Sequence, residues 1–346
     1  MNIKDLGFST GACAAAAAKA AAIVSCGISI PTHINIPFPD GFYRSLPIAW
    51  AHAINNGGEA AVIKSAGSDT TDISNGATII ATVTKSQYWT FEAGDGVGTV
   101  TKLGLQIPVG EPAINQGPRT MIRAALTEIG WNGAKVKISI PNGTKLALRT
   151  LNSRLGITDG LSILGTTGRV KPFDIEAIRT TIQYAMNVIR IDGHHFIAMT
   201  PGNLGRRALH AYNRELPIVE VSNEWGYALD RAVKNEFQAI LIAGHPGKLV
   251  KLAENQFDTH SARSSSCLPR VTATAKKVVG CNIVGIPTVE GIFQILAKDK
   301  RKIVANLLAK DIAHAIKQRT NLPCAVVLTT MDSEIYGNYM TGTPWA

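Results

Sequence analysis

Four short stretches of this chain combine glycine or small polar residues with the pattern of an anion site. They are Gly165-Thr166-Thr167-Gly168, Pro201-Gly202-Asn203-Leu204-Gly205, Ser222-Asn223 and Gly244-His245-Pro246-Gly247-Lys248. Each follows a short apolar run and precedes a helical pattern. In such a unit the first backbone N–H groups of the helix point into the loop, and the helix dipole adds partial positive charge. That suits a carboxylate or a phosphate. Gly165, Gly168, Gly202, Gly205, Gly244 and Gly247 would let a ligand approach the backbone closely. For any one loop, an ordinary strand-to-helix turn is the competing reading; four in series point to a ligand crevice. Lys248 and Lys251 are candidate anion contacts, as are Arg119 and Arg123, four residues apart on one face of an expected helix. His245, at a strand end, is the candidate for general acid–base chemistry.

Several better-known chemistries are excluded by spacing. Gly244 to Leu249 fails as a nucleotide P-loop, because its glycines are too close and Leu249 stands where a magnesium-holding Ser or Thr belongs. Gly94-Asp95-Gly96-Val97-Gly98 runs into strand-like sequence, the wrong context for a dinucleotide fingerprint. The oxygen-rich stretch from Lys64 to Asp72 lacks the spacing of a calcium loop and reads best as a satisfied turn. His194 and His195 open a strand, so they point to opposite faces and cannot share a metal. There is no GxSxG, HExxH or CxxC, and no protein-bound metal is expected.

The composition narrows the partner. In 346 residues there are 35 Lys and Arg against 25 Asp and Glu, a net charge of +10. A protein this basic commonly meets a polyanion. The charges are spread without a basic run, which disfavours a nucleic-acid tail or a polybasic membrane anchor and favours a folded pocket. Aromatic residues are 6% of the chain, too few for a base-stacking surface. Five cysteines at irregular spacing suggest neither disulfides nor structural zinc, and hence a cytoplasmic protein. The apolar stretch 12–26 is Ala-rich, interrupted by Lys19 and too short to span a bilayer.

These residues must be positioned by recognisable elements. Ser9 or Thr10 caps a first helix through the alanine run, and Gly27 ends it. Strands are expected at 32–36, 60–64, 77–84, 88–92 and 135–140, with a helix at 117–129 and a hairpin turn at Asn142-Gly143. From about Asn152 the texture changes to short strands alternating with helices, starting with a strand at 161–164. Alternation of that kind means a parallel sheet with right-handed crossovers. The expected fold is thus α/β plus α+β: an N-terminal α+β domain, 1–151, joined to a Rossmann-like parallel-sheet α/β domain, 152–346. The second domain would end in a helical region at 288–319 and a last strand at 325–328.

Taken together, the segments resemble the CbiD family of cobalt-precorrin-5B C1-methyltransferases. The resemblance runs from Gly7 to at least Ser261. It rests on ordered blocks: Gly7-Phe8-Ser9-Thr10-Gly11-Ala12-Cys13, Gly96 to Leu105, Val109 to Asn115 with Pro118-Arg119, Asn152 to Gly168, Pro201-Gly202-Asn203, Gly244 to Ala253, and Thr259-His260-Ser261. What this implies is methylation of C1 of a cobalt-corrin precursor with S-adenosylmethionine as donor, in anaerobic cobalamin biosynthesis. The substrate partner would be a polyanionic cobalt-tetrapyrrole, with neither nucleic acid nor membrane; a homo-oligomer is left open. Thr10, Gly11, Arg119, Arg123, Lys248 and Lys251 would bind substrate. Gly165, Thr166, Thr167, Gly168, Gly202, Asn203, Gly244, His245 and Gly247 would bind the donor. Ser65, Ser68, Asn75, Gln116, Gly117 and Asp159 depart from the family pattern. Two other classes stay open on the sequence: a nucleotide- or phosphate-handling α/β enzyme, and a nonenzymatic corrinoid- or RNA-binding protein.

Overall fold

The alanine run explains the first half of the molecule. A computed structural model describes residues 7–30, 32–171 and 174–345. After a short strand β1 (Gly7–Phe8), helix α1 (Thr10–Ser25) begins where the Ser9 hydroxyl accepts the Ala12 N–H at 3.1 Å, and Gly27 at φ +73° closes it. Ala12 to Ala18 and Ala20 to Ala22 are wholly buried. Small side chains let the helix backbone lie almost directly on a sheet, and a Cβ at Gly58 would come within 1.9 Å of the Ala21 carbonyl oxygen.

The chain folds as two compact units, Met1–Asp174 and Ile175–Ala346. In the first, β2 (His33–Pro37) and β3 (Tyr43–Pro47) form a ribbon, followed by β4 (Trp50–Ile54), β5 (Gly57–Ile63), β6 (Thr78–Lys85), β7 (Thr90–Ala93) and β8 (Thr99–Val100). Then come α2 (Gln116–Thr127), β9 (Ala134–Ser139), α3 (Gly143–Ala147), β10 (Ile157–Thr158) and β11 (Arg169–Val170). The main sheet runs β4-β5-β6-β9-β7, antiparallel except for β7 against β9. Val62, Ile79, Ala81, Val83, Val136 and Ile138 alternate along their strands toward α1 and join one core with Ile122 and Leu126 of α2. Asn142-Gly143 is not a hairpin turn: Asn142 takes the left-handed conformation at φ +62° and starts α3.

The sequence places the domain change near Asn152, whereas the units divide at 174/175. Residues 152–170 hydrogen-bond into the first unit. Ile163 N–H donates to the Ala113 carbonyl (2.8 Å), Gly11 N–H to that of Leu164 (2.9 Å), and β10 and β11 pair with β8 and β1. The expected strand at 161–164 forms only isolated bridges, Val97 with Leu161 and Ile114 with Ile163.

The second unit comprises α4 (Ile175–Ile191), β12 (Phe196–Thr200), α5 (Asn203–Tyr212), β13 (Ile218–Glu220), α6 (Trp225–Lys234) and β14 (Ala239–Gly244). These are followed by α7 (Pro246–Leu249), a 3-10 turn at Val250–Glu254, α8 (Leu268–Val279), α9 (Val289–Ile295), α10 (Lys298–Thr320), β15 (Cys324–Thr329) and β16 (Ile335–Tyr339). The sheet order is β13-β12-β14-β15-β16, parallel except for the last pair. Ile197, Met199, Ile240, Ile242, Val326 and Leu328 face α4, α6, α8 and α10. Ala198, Leu241, Ala243, Ala325 and Val327 face Leu209 of α5. Both faces are covered, so β14 and β15 are buried throughout, as continuous apolar strands predict. The chain goes outward from β12 to β13 over one face and returns to β14 over the other. The order therefore reverses between β12 and β14, and the carboxyl ends of strands at such a switch point are where α/β sheets commonly bind ligands.

Candidate functional site

In the first unit, the residues expected to hold ligand are tied to one another. The Thr10 hydroxyl accepts Leu164 N–H at 2.8 Å and donates to the Leu164 carbonyl at 3.2 Å. A Cβ at Gly11 would sit 2.6 Å from Pro118 Cγ. Gly165, at φ +131°, would press a Cβ to 2.1 Å from the Ser9 hydroxyl, and Gly168, at φ +76°, to 2.5 Å from the Phe38 ring. These two glycines seat their loop on the N-terminus of α1. Thr166 and Thr167 face outward.

The cations on α2 divide. Arg119 donates from Nε to the Ile114 carbonyl (2.8 Å) and from Nη2 to Glu111 (3.1 Å) and the Pro112 carbonyl (3.4 Å). Arg123 is exposed, its guanidinium 5.5 Å from the Phe91 ring centre and 6.0 Å from that of Trp89. In the loop after β5, the buried Lys64 ammonium meets Asp72 at 2.5 Å. Burial works to raise the Asp72 pKa, but Lys64 and Ser74 outweigh it and hold the carboxyl below its usual range. Ser65 and Asn75 accept the backbone N–H groups of Gly67 (3.3 Å) and Ala66 (2.9 Å), so this loop satisfies itself. Gln116 and Gly117 start α2, and a Cβ at Gly117 would come 3.0 Å from the Gly165 carbonyl oxygen. Cys13 beneath this corner is inert, its thiol pushed up to about 12 by burial.

The second unit gathers the remaining candidates at the carboxyl edge of its sheet. Gly205 has no room for a Cβ, which would lie 2.2 Å from the Ala243 carbonyl oxygen, so α5 closes directly on β14. A Cβ at Gly244 would come 2.9 Å from Pro201 Cδ, so the loops after β12 and β14 touch. Gly202 is different: a Cβ there meets nothing within 4 Å. The adjoining Thr200 hydroxyl is fully buried, with no hydrogen-bond partner among the described residues. Asn203 accepts from Arg206 Nη2 at 2.9 Å, and Arg206 lies 3.0 Å from Glu220.

His245 caps α7. Its Nδ1 accepts Gly247 N–H at 3.1 Å, which puts the ring proton on Nε2, 2.8 Å from Glu290 Oε2. Both ring nitrogens are engaged, so the imidazole offers no lone pair to a substrate proton, and the acid–base role expected for it loses its basis. Glu290 also accepts from Tyr336 Oη at 2.9 Å. Neither Glu290 nor Tyr336 is legible as a site residue in the sequence. Thr288 signals the helix cap that presents Glu290, but nothing local links it to His245, 45 residues away.

Lys248 and Lys251 are the cations of this edge. Lys248 is half-buried, and its ammonium has no ion pair or hydrogen bond among the described residues. Burial, and then the charge of Lys251, lower its pKa. Lys251 is buried and donates to two neutral groups, the Thr259 carbonyl at 3.2 Å and the Ser264 hydroxyl at 2.8 Å. Two neighbouring ammonium groups held without a carboxylate partner leave positive charge for a ligand to neutralise.

At the opposite edge, a shallow cleft of about 430 Å³ is lined by residues including His194, His195, Phe196, Gln238 and Trp345. It contains no lysine or arginine. Among the described residues, no group of three or more His, Cys, Asp or Glu side chains could hold a metal ion, and no helix is long and apolar enough to cross a membrane.

Comparison with known proteins follows the same lines. The CbiD family model matches residues 2–172. A cobalt-precorrin-5B C(1)-methyltransferase of Syntrophotalea carbinolica is 45% identical and spans 98% of each chain. Proteins of that name from Methanocaldococcus jannaschii and Desulfitobacterium hafniense are 36% and 35% identical, over 96% and 95% of this chain and 96% and 88% of their own. A crystal structure titled cobalamin biosynthesis protein (cbiD), from Archaeoglobus fulgidus, is 27% identical and superposes at a TM-score of 0.40, covering 75% of this chain and 82% of that one.

Proposed function

Because the chain belongs to the CbiD family and is a methyltransferase of cobalamin biosynthesis, we propose that it methylates C1 of cobalt-precorrin-5B, with S-adenosylmethionine as donor. The observation that carries the site assignment is the Lys248–Lys251 pair at the carboxyl edge of the second sheet, without a carboxylate partner among the described residues. A ring precursor bearing several carboxylate arms supplies the missing counter-charge. In the first unit Arg123 is exposed, whereas Arg119, bonded through Nε and Nη2, shapes the loop before α2.

The donor site in this reading is the crevice between β12 and β14. The order β13-β12-β14-β15-β16 supports a Rossmann-like second domain, in which ligands bind where the order reverses. Gly202, beside open space, and the unpartnered Thr200 hydroxyl fit a polar ligand there. Gly244 and Gly247 keep the adjoining loop tight, and Asn203 starts the helix that follows. Gly165 and Gly168 in the first unit fit less well, because Ser9 and Phe38 already occupy the space their missing side chains leave.

The donor supplies an electrophilic sulfonium methyl. The chain's own part is alignment: the lysines fix the carboxylate arms, and the loops exclude water from the transfer path. No general base is required of His245. All five cysteines are free, which suits the reducing cytoplasm.

Turnover of cobalt-precorrin-5B with S-adenosylmethionine tests the reaction, and calorimetry with each ligand alone tests the site. Expected are a methylated product and, in Lys248→Ala, weaker tetrapyrrole binding with donor binding intact. Absence of product overturns the reaction; unchanged tetrapyrrole affinity in the variant overturns the lysine assignment.

A further inference from the structure

Three side chains from separate elements form one chain of hydrogen bonds behind the anion-binding loop. Tyr336 on β16 donates to Glu290 Oε1 at 2.9 Å. Glu290 Oε2 faces His245 Nε2 at 2.8 Å, and His245 Nδ1 accepts Gly247 N–H at 3.1 Å. We infer that Glu290 and Tyr336 are positioning residues for the loop that carries Lys248, acting through the tautomer of His245. The inference rests on the reading of Lys248 as a contact to substrate carboxylate.

Gly247 N–H needs an acceptor, so His245 Nδ1 must be bare and Nε2 must carry the hydrogen. A neutral imidazole free in solution exchanges between two tautomers, and only one of them caps this turn. An ionised carboxylate at Nε2 selects that one. Glu290 suits the task. It lies in the first turn of α9, where the helix dipole favours negative charge, and Thr288 caps that helix by accepting Gly291 N–H at 3.0 Å. Tyr336 in turn fixes the carboxylate, and its own ring is held by stacking on Phe293 at 4.5 Å between centres. At the other end of the relay, the His245 carbonyl accepts Lys248 N–H (3.1 Å) and Leu249 N–H (3.2 Å). The orientation of His245 therefore sets where the Lys248 backbone starts, and with it where the ammonium can reach. With the wrong tautomer, two N–H groups would meet at Gly247 and the turn would open.

The test combines imidazole ¹⁵N spectra, assigned with His245→Asn, with steady-state kinetics on cobalt-precorrin-5B and S-adenosylmethionine. In the parent enzyme His245 should show the Nε2–H tautomer. Glu290→Ala should admit the Nδ1–H form and raise KM for the tetrapyrrole about tenfold, with kcat little changed, as expected when one half-buried hydrogen-bond partner is lost. Glu290→Gln, whose amide oxygen still accepts from Nε2, should restore both. Tyr336→Phe, which keeps the ring and serves if Glu290→Ala does not fold, should move both readouts the same way but less. Parent-like KM and tautomer in Glu290→Ala and Tyr336→Phe, alongside a raised KM in Lys248→Ala, overturn the inference alone. A parent-like KM in Lys248→Ala removes the lysine reading and the inference with it. Loss of thermal stability in Glu290→Ala without rescue by Gln makes the relay merely structural and also overturns it.

Discussion

The stretches Gly165–Gly168 and Pro201–Gly205 look alike as sequence and differ as structure. In the first unit, Gly165 and Gly168 have positive φ, and the space beside them is filled by Ser9 and Phe38. In the second, Gly202 has extended backbone and open space. The same contrast holds for the cations. Arg119 gives its guanidinium to two carbonyls and Glu111, whereas the Lys248 ammonium has no partner among the described residues. A glycine or a basic residue becomes evidence for a ligand only when the protein has not already used it.

Glycine substitution should have the largest effect on the two loops. Gly165→Ala should destabilise the protein by about 2–4 kcal/mol, since it adds both backbone strain and a clash with the helix cap. Gly202→Ala should change stability by less than about 0.5 kcal/mol and instead weaken donor binding. Chemical denaturation and donor calorimetry on the two variants decide it; equal stability losses would erase the distinction.

Cation substitution comes next. Lys248→Ala combined with Lys251→Ala should raise the tetrapyrrole Kd by at least tenfold or so and flatten its salt dependence. Arg119→Ala should chiefly cost stability, about 1–3 kcal/mol, because buried carbonyl groups lose their donor. Binding titrations at two ionic strengths, with thermal melts, separate the two outcomes.

A smaller effect concerns the ligand-free protein. The folded pKa of Lys248 is depressed by burial and by Lys251, so the charged form costs stability at neutral pH. Between the folded and the ordinary lysine pKa the unfolded chain binds more protons, and stability should rise with pH there. Lys248→Gln should remove that rise and leave the empty protein slightly more stable at pH 7 while binding substrate less well. A fall in melting temperature would contradict the idea that its charge awaits a partner.

The acid side gives the mildest test. Glu290 is held below its ordinary pKa: burial opposes ionisation, but the His245 and Tyr336 hydrogen bonds more than offset it. Its contribution is present above the ordinary carboxylate range and lost as pH falls through the lowered folded value. Glu290→Gln should remove this part of the acid-side slope and leave that of Asp72 in the first unit. Stability profiles from pH 7 downward report the difference.

Local chemistry made a good part of this legible. A capped alanine run can hardly be other than a helix packed against backbone, and Ser9 and Gly27 mark its ends. The apolar runs from 196 to 244, each followed by a glycine or small polar turn, read as strands with crossovers, and the sheet bears this out. The same local pattern misplaced residues 161–168. An apolar run, a glycine loop and a helix are all present there, but the hydrogen bonds go to Ala113, Asn115 and Gly11 of the first unit. No local signal distinguishes the two cases, because pairing partners lie tens of residues away.

What the sequence determined by itself is therefore the periodicity and caps of each element, the net positive charge and the ordered motifs of the family. These depend on neighbours within a few residues, or on sums over the chain. Which groups are already satisfied emerges only once the chain is folded. Arg119 and Lys248 are both cations after a loop; Thr10 and Thr200 are both buried threonines. One of each pair has hydrogen bonds to other groups of the fold, Arg119 to the loop before its helix and Thr10 to Leu164, and the other does not. Satisfaction is a property of three-dimensional neighbours, and it is that property which leaves a charge or a hydroxyl for a ligand.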